Sequence, residues 1–485
     1  MRIWVLVSAV AALACLAAVL VLVWPLGTPP LVDYPTHAAR SYVLSLPDGS
    51  SGLLDYYRPN WIPVPNLGID LLLSSMMASL PPMLASQLFL TLSVVLVLGG
   101  SMLWVRLRQG TWGAEAMLPA LALGDTWYRM GFANYVFGIG IATLAMCVWT
   151  ALSARPLWRR LVGIAPLVAC LAVVHLMALL VLMLWIVVER VRESRGERVA
   201  TWLFLAALPA GLLAMLAGLT AIGKTAVNLS AKEMALQGLL RMFGEPGSLV
   251  EPVIAGAALA LLAAWNYRSR AWLLPTVALG AVALLGPSFF GGTAFSSERA
   301  TLPLLVTMAV YSKPLEEAKS AWVLALAGIV AILNLRSDWA MAADLREALN
   351  LAGANVRRGD TLFTFESGRP VRPTFRRWHL HAADWLVIRK GAFVPQLFAK
   401  PLQQPMVFTE FAAPFKEFQG QEPIERAPTL EDVEKIRELQ ATVGLRRRRA
   451  YILWYGPKIG EALPIPGTEL IGANADGTAL YLVDR

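Results

Sequence analysis

The chain has 485 residues, of which 57% are hydrophobic and 15% are charged, and its formal net charge is +9 at pH 7. A soluble protein carries about 25% charged residues, so this composition excludes an ordinary soluble domain and indicates a polytopic membrane protein. The positive charge lies in predicted cytoplasmic loops and in the C-terminal tail, and therefore does not indicate nucleic-acid binding.

Apolar runs predict about eleven membrane-spanning helices, because runs of roughly 20 apolar residues cross a bilayer as helices. The predicted spans are 3–24, 84–105, 114–124, 131–152, 160–174, 176–189, 200–222, 251–265, 271–287, 301–312 and 319–335. The first run could instead be a cleaved signal peptide. It is longer than a signal core and lacks a small-x-small cleavage site, which favours an uncleaved anchor.

The Lys and Arg content of the loops predicts the topology, because cytoplasmic loops are rich in these residues. One set of loops holds 13 Lys or Arg in 40 residues: 106–113, 153–160, 189–199, 266–270 and 312–319. The other set holds 7 in 108 residues: 25–83, 124–131, 223–250 and 288–300. We therefore expect a cytoplasmic N-terminus, and we expect the second set to face outward.

The first outward stretch, DYPTHAAR (33–40), places three ionisable groups just after an apolar run. Asp33 can cap a short helix, and His37 and Arg40 follow at spacings that share its face. A carboxylate can accept a proton or bind a metal, His can do either, and Arg can pair with phosphate. The alternative is a capping Asp followed by ordinary interfacial polar residues.

The apolar stretch LGIDLLLSSMMASLPPM (67–83) is predicted to be a re-entrant or interfacial helix. If residues 67–82 crossed the membrane, the basic loop RLRQG (106–110) would lie outside, against the charge rule. Asp70 also fits poorly in a helix that faces lipid.

The second outward loop, LGDTWYRMGFANYVFG (123–138), adds the charged residues Asp125 and Arg129. Both would lie near Asp33 if the spans pack together, although an interfacial anchor built from Trp, Tyr and Arg is the alternative. Asn134 and Gly138 would let the following helix approach a neighbour closely.

Residues 160–189 are predicted to cross twice as a short hairpin, with His175 near its outer tip. One long tilted helix is the alternative, and a lone His is often only a packing residue. Farther along, the outward loop SFFGGTAFSSERA (288–300) ends in Glu298 and Arg299, and Arg299 is a candidate contact for phosphate.

Residues 336–485 mix charged residues, prolines and strand-like stretches, unlike the apolar part of the chain. They predict an α/β domain outside the membrane that buries its own core. TLFTFES, DWLVIRK and AYILWYG resemble strands, and TLEDVEKIRELQAT (429–442) predicts a helix capped by Thr429.

The cysteines Cys15, Cys147 and Cys170 lie in apolar runs, which predicts packing roles rather than disulfides.

The order of these parts resembles the GT-C superfamily of integral membrane glycosyltransferases. The resemblance rests on DYPTHAAR after the first helix, the long outer loop, the many helices and the C-terminal outer domain. YYRPNWIPVPNLGIDLLL, MGFANYVFGIGIATLA and HLHAADWLVIRKGAFVPQLFAKPLQQP also resemble uncharacterised bacterial membrane proteins of this architecture. The resemblance implies a mainly helical membrane domain (1–335) and a periplasmic α/β domain (336–485), in a bacterial inner membrane.

The function implied by the resemblance is transfer of a sugar from a polyprenyl-phosphate donor to an unknown acceptor at the outer face of the membrane. Asp33 would then be the base, with His37 its partner and Asp125 a second acid. Arg40, Arg129, His175, Glu298 and Arg299 would bind substrate. A divalent metal, Mg²⁺ or Mn²⁺, is left open, because His37 stands where the family usually has a second acid. The alternatives are a transporter or flippase of a lipid-linked or small polar substrate, and a membrane scaffold.

Overall fold

The computed structural model describes residues 24, 29–47, 52–61, 66–110, 112, 114–122, 130–193, 276, 279, 289–290, 293–294, 298–311, 339–366, 378–397, 404–418, 424–442, 448–456, 464–474 and 477–484. These residues fall into two compact units. The helical unit comprises the described parts of residues 90–128 and 133–336. The sheet unit comprises the described parts of residues 23–89, 129–132 and 337–485.

The described chain is mainly helical and has a sheet in its C-terminal part, as predicted. The helices are α1 Tyr34–Ser45, α2 Gly68–Ser79, α3 Pro82–Gln109, α4 Pro119–Ala122, α5 Ala133–Ala151, α6 Leu157–Val174, α7 Leu176–Glu193, α8 Thr301–Tyr311, α9 339–355, α10 Trp385–Lys390 and α11 Leu430–Thr442. The strands are β1 Tyr57–Pro59, β2 Phe289–Phe290, β3 Thr293–Ala294, β4 Thr361–Glu366, β5 Met406–Phe408, β6 Ala450–Tyr455, β7 Thr468–Ala473 and β8 Thr478–Val483.

Three described helices, α3, α5 and α6, are long and apolar enough to cross a membrane. They coincide with the predicted spans 84–105, 131–152 and 160–174. Helices α7 and α8 occupy two further predicted spans, although the 11 residues of α8 reach only about 16 Å at ~1.5 Å per residue. The total of eleven stays a prediction, because five spans lie almost entirely outside the described residues: 3–24, 200–222, 251–265, 271–287 and 319–335.

The predicted span 114–124 is not one continuous helix where it is described, and whether it crosses the membrane stays a prediction. Ala114–Met117 is a 3-10 helix, and α4 has four residues. Pro119 accounts for the break: proline has no backbone N–H, and its ring clashes with the preceding turn inside a helix. An apolar run is therefore not sufficient evidence for a spanning helix here.

The hairpin predicted for residues 160–189 is present, whereas its two membrane crossings stay a prediction. Helix α6 ends at His175, whose φ of −163° and ψ of 114° are extended, and α7 begins at the next residue. The start of α6 and the end of α7 are joined by Arg160, whose Nη1 and Nη2 donate to Glu193 at 2.7 and 3.0 Å. The two helices therefore run antiparallel, and His175 lies at their shared tip.

Small residues let α5 approach its neighbours closely, as predicted for Gly138. A Cβ at Gly138 would lie 2.8 Å from the Cβ of Ala178 on α7, and one at Gly140 would lie 2.6 Å from the Cβ of Leu96 on α3. Real side chains do not tolerate such distances, so only glycine fits at these two positions. Close backbone approach of this kind is the usual source of helix association in membranes.

The sheet unit combines the C-terminal residues with the segment around α1 and α2. Its main sheet has the strand order β4-β6-β8-β7; β4 pairs with β6 in parallel, and the other two pairs are antiparallel. A second, two-stranded sheet pairs β1 with β5, with Tyr57 opposite Phe408. The early outer segment is thus tied by backbone hydrogen bonds to the C-terminal part of the chain.

Two strands and the capped helix predicted in the C-terminal region are confirmed as β4, β6 and α11. Thr429 caps α11 by accepting from the Asp432 N–H at 3.4 Å, while Asp432 Oδ2 accepts from the Thr429 N–H at 2.8 Å.

The strand predicted at DWLVIRK is wrong, since helix α10 occupies this stretch and is capped by Gly391, whose φ is 66°. A short apolar run is consistent with a buried strand or a buried helix, and the left-handed glycine cap decides for the helix.

Gly131 controls how residues 130–132 pack against the start of α1. Its φ is +82°, and a Cβ there would lie 2.5 Å from the backbone nitrogen of Tyr34. We expect Gly131→Ala to lower the free energy of unfolding by roughly 1–3 kcal/mol, because both the backbone conformation and the space exclude a side chain.

Thermal unfolding of the full chain in detergent measures this effect. Gly99→Ala is the matched control, because a Cβ at Gly99 would have no neighbour within 4 Å. Equal melting temperatures for the two variants would contradict the role assigned to Gly131.

Candidate active site

Asp33 stands at the N-cap position of α1, as predicted, but its carboxylate does not cap the helix. Its φ of −88° and ψ of −15° are helical, and its side chain makes no capping hydrogen bond. The Asp33 N–H instead donates to Met130 O at 2.9 Å, which fixes the backbone at the start of the helix. The side chain is 34% exposed, so the carboxylate is accessible to a substrate.

A buried ion pair joins α1 to α2. Arg40 Nε lies 2.7 Å from Asp70 Oδ1, and Arg40 Nη2 donates to Asp70 Oδ2 at 3.0 Å. Both side chains are 1% exposed. The two parallel hydrogen bonds match the planar guanidinium to the planar carboxylate, which is the strongest arrangement of such a pair. This pairing explains why an acid interrupts the apolar sequence of α2.

The same arginine fixes the hydrogen-bonding role of His37. Arg40 Nη2 also lies 2.8 Å from His37 Nδ1. A guanidinium has only donors, so Nδ1 must be the unprotonated, accepting nitrogen. The ring proton of neutral His37 is therefore on Nε2, which makes Nε2–H a hydrogen-bond donor. Since His37 is partly exposed, that donor can reach a bound ligand.

The C-terminal region contributes two further ionisable side chains to this cluster. The 3-10 helix Trp378–Asp384 carries His381 and Asp384, which are 6% and 2% exposed. Thr36 of α1 donates its hydroxyl hydrogen bond to Asp384 Oδ2. His381 Nε2 lies 3.9 Å from Asp33 Oδ1, and His381 Nδ1 lies 3.7 Å from Asp384 Oδ2. The result is one imidazole between two carboxylates.

Burial sets the protonation states of these two C-terminal groups. It raises the pKa of Asp384 to about 7, against the opposing effects of the Thr36 hydrogen bond and the Arg40 charge. It lowers the pKa of His381 to about 4, because the charged imidazolium is disfavoured away from water. Near neutral pH, Asp384 is thus poised to gain or lose a proton and His381 is neutral.

The cluster has an accessible edge and a buried interior. Asp33 and His37 are partly exposed, and five side chains are buried: Thr36, Arg40, Asp70, His381 and Asp384. All seven belong to the sheet unit. A partly exposed carboxylate, separated by one imidazole from a carboxyl group whose pKa is about 7, is suited to moving a proton during a reaction.

A metal centre finds no support in the described part of the chain. There, no group of three or more His, Cys, Asp or Glu side chains is arranged to hold an ion. Asp33 and Asp384 lie 3.9 and 3.7 Å from opposite nitrogens of His381, so the two carboxylates do not converge on one nitrogen.

The other predicted site residues have different outcomes. Asp125 and Arg129 lie outside the described residues. Glu298 begins the 3-10 helix Glu298–Ala300 of the helical unit. Arg299 and His175 come together in that same unit, with Arg299 Nη1 3.3 Å from His175 Nε2, and both side chains are buried.

The surroundings of His175 and Arg299 form a polar cluster inside the helical unit. Tyr135 Oη donates to Arg299 O at 2.6 Å, and the Tyr135 ring lies 5.2 Å from the His175 ring. Asn134 Nδ2 donates to Val174 O at 2.7 Å, which holds α5 against the end of α6. The geometry brings two of the predicted substrate-binding residues into direct contact.

Sequence reasoning did not include Asp70, Thr36, His381 and Asp384 among the candidate site residues. Asp70 gave one signal, because an acid in an apolar helix needs a buried partner. The stretch HLHAAD (379–384) gave a second signal, because its six residues include two His and one Asp and lie between two tryptophans.

Comparison with known proteins adds no relative. A scan against protein-family models and searches of curated proteins and of solved structures find no match to this chain.

The Arg40–Asp70 pair predicts a large response to removal of one partner. Asp70→Asn leaves a buried guanidinium without its counter-ion, so we expect a loss of about 3–5 kcal/mol in the free energy of unfolding. Replacing both partners, as Arg40→Met with Asp70→Leu, should recover most of that loss because no buried charge remains.

Denaturant or thermal unfolding measures both variants. Asp55→Asn is the matched control: Asp55 lies 3.5 Å from Arg448 in an exposed pair, and its removal should change stability by less than about 1 kcal/mol. If Asp70→Asn were as mild as Asp55→Asn, the buried pair would not hold α1 to α2.

Proposed function

We propose that this protein is a membrane glycosyltransferase that moves a sugar from a polyprenyl-phosphate donor to an acceptor at the outer face of a bacterial inner membrane. The observation that carries the proposal is the cluster around the partly exposed Asp33 carboxylate. It combines an accessible base, a neutral histidine donor and a buried carboxyl group that titrates near pH 7.

The membership of the sheet unit supports the outward location of this cluster. Residues 25–83, 124–131 and 336–485 are each predicted to lie outside the membrane, from their charge or from the parity of spans. Their described parts share one compact unit. Segments on opposite sides of a bilayer could not pack together in this way, so the unit is consistent with a single outer face.

The short helix α2 supports a site close to the lipid surface. Its 12 residues reach about 18 Å at ~1.5 Å per residue, which is less than the ~30 Å hydrocarbon core of a bilayer. Leu71 and Leu80 expose apolar surface on and just beyond this helix. An interfacial α2, paired to α1 through Asp70, would place Asp33 and His37 where the headgroup of a lipid-linked donor is presented.

The reaction we propose is an inverting sugar transfer that uses this cluster for acid–base chemistry. The Asp33 carboxylate removes the proton of the acceptor hydroxyl as that oxygen attacks the anomeric carbon. The bond from the anomeric carbon to the lipid phosphate breaks, and the phosphate leaves with the electron pair. His37 Nε2–H donates to the departing oxygen, whose charge is stabilised by such preorganised donors.

We propose for Arg40 a role other than the phosphate contact predicted from sequence. Its guanidinium is 1% exposed, neutralised by Asp70 and bonded to His37, so we propose that it orients His37 rather than binding phosphate. Arg299 and His175 lie 3.3 Å apart in the helical unit and are not assigned to this cluster, so their binding of substrate stays a prediction.

Asp33→Asn tests the proposed base. The change keeps the size of the side chain, and no side-chain cap is lost, so folding should be preserved. We expect transfer to fall by roughly 10²–10⁴-fold, the usual contribution of general base catalysis. The measurement is transfer or hydrolysis of radiolabelled sugar from a polyprenyl-phosphate donor by the purified full chain.

Asp55→Asn serves as the matched control for that assay, since Asp55 is an exposed acid of the same unit outside the cluster. Full activity in a normally expressed Asp33→Asn variant would show that Asp33 is not the base.

Reporters fused after Arg485 test the orientation. A periplasm-dependent enzyme should be active there and a cytoplasm-dependent one inactive, because the Lys and Arg distribution and the parity of the predicted spans predict an outward C-terminal region. The opposite pattern would place the cluster on the cytoplasmic face and would exclude an outer-face reaction.

A further inference from the structure

The 3-10 helix Trp378–Asp384 presents one imidazole to two carboxylates. His381 Nε2 faces Asp33 at 3.9 Å, and His381 Nδ1 faces Asp384 at 3.7 Å. The backbone of His381 departs from helical geometry, with φ of −126° and ψ of 17°, and so interrupts the 3-10 helix at this residue. Both distances are longer than a hydrogen bond, and catalytic hydrogen bonds are often long before substrate binds and tighten afterwards.

We infer that His381 and Asp384 form a proton relay behind Asp33, in which the acceptor proton of the sugar transfer is stored on Asp384. This inference rests on the proposed function and assigns a chemical role to the C-terminal region. His381 and Asp384 act through Asp33 and are therefore positioning residues. The relay joins the one-third exposed carboxylate to a carboxyl group with almost no access to water.

The proton balance of the relay is simple. Before transfer, Asp384 is ionised, His381 carries its proton on Nδ1, and the Nε2 lone pair faces Asp33. Asp33 takes the acceptor proton and passes it to Nε2 while the Nδ1 proton moves to Asp384. Afterwards Asp33 is again a carboxylate, His381 is the Nε2–H tautomer, Asp384 is neutral, and the departing phosphate holds the negative charge. Reversal through Asp33 releases the proton to water.

The surroundings of Asp384 fit a group that must hold a proton for part of each cycle. The groups that face it are Thr36 and Arg40 from α1, His381 from its own 3-10 helix, and Tyr57 from β1. Burial raises its pKa to about 7, whereas the Thr36 hydrogen bond and the Arg40 charge lower it. A carboxyl group with a pKa near the working pH is populated in both forms.

The pH dependence of transfer tests the relay. Because Asp384 must start ionised, kcat/KM should rise with pH through an apparent pKa near 7 in the native protein. Asp384→Asn should remove that rise and reduce transfer on the order of tenfold, less than loss of the base itself. An unchanged profile in Asp384→Asn would overturn the relay.

Thr36→Val gives a graded test that keeps the carboxyl group. The substitution preserves the branched shape and removes the hydrogen bond that lowers the pKa of Asp384, so the rise should move to higher pH. His379→Gln is the matched control: His379 lies in the same 3-10 helix but its Nε2 lies 2.7 Å from Glu366 Oε1, and its profile should match the native one. A native profile in Thr36→Val would contradict the role of Asp384.

Infrared titration separates failure of the relay from failure of the proposed function, because it needs no substrate. The carboxyl band of protonated Asp384 in the full chain is identified by its loss in Asp384→Asn. In Asp33→Asn its midpoint should fall, since a negative charge across the imidazole is removed. The shift should be smaller when His381→Phe is also present, because only the direct electrostatic effect of Asp33 then remains.

Transfer assays and infrared titration together distinguish the two failures. An Asp384 midpoint that ignores Asp33 overturns the relay, whatever the transfer activity. A coupled midpoint in a protein whose Asp33→Asn variant keeps full transfer would leave the proton path standing and refute the proposed glycosyltransferase.

Discussion

The buried ion pair between Arg40 and Asp70 is the constraint on which the candidate site depends. Removing two full charges from water is expensive, and the close bidentate contact between Arg40 and Asp70 offsets part of that cost. The contact therefore favours the relative position of α1 and α2 in which both hydrogen bonds are made. That position sets the direction of the α1 face that carries Asp33, Thr36 and His37, and through Arg40 Nη2 it also decides which nitrogen of His37 accepts. A structural interaction and a chemical property are thus fixed by the same side chain.

Depth of burial then separates the carboxyl groups of the cluster by function. Asp70 is buried beside a guanidinium and serves as a counter-ion, Asp384 is buried beside a hydroxyl and holds a proton near pH 7, and Asp33 meets solvent. Three chemically identical groups within one unit acquire three different properties because their neighbours differ. Differences of this kind between nearby titratable groups are the usual basis for assigning an acid and a base in an enzyme.

Sequence reasoning predicted the site residues that are neighbours on α1 and missed the partners that come from distant segments. Spacings of four and three residues placed His37 and Arg40 on the helix that Asp33 begins, because helical periodicity is a local property. The partners from distant segments, Asp70 and Asp384, have no such period: Thr36 and Asp384 are separated by 348 residues. In the fold, the α6–α7 hairpin was predicted from charge and length. Pro119 interrupts the helix predicted for residues 114–124, and Gly391 caps a helix, α10, where a strand was predicted.

The long separation has a consequence for how the site comes to exist. Closing the chain between Thr36 and Asp384 has an entropic cost, and contacts outside the cluster help to offset it. The pairing of β1 with β5 and the burial of Tyr57, whose hydroxyl donates to Val394 O at 2.7 Å, stabilise the same closure from outside the cluster. Tyr56 stacks on Phe393 with ring centroids 3.9 Å apart and adds to it. The packing between the first outer segment and the C-terminal residues therefore supports the proximity of Asp33 and His381, and so the chemistry proposed for them.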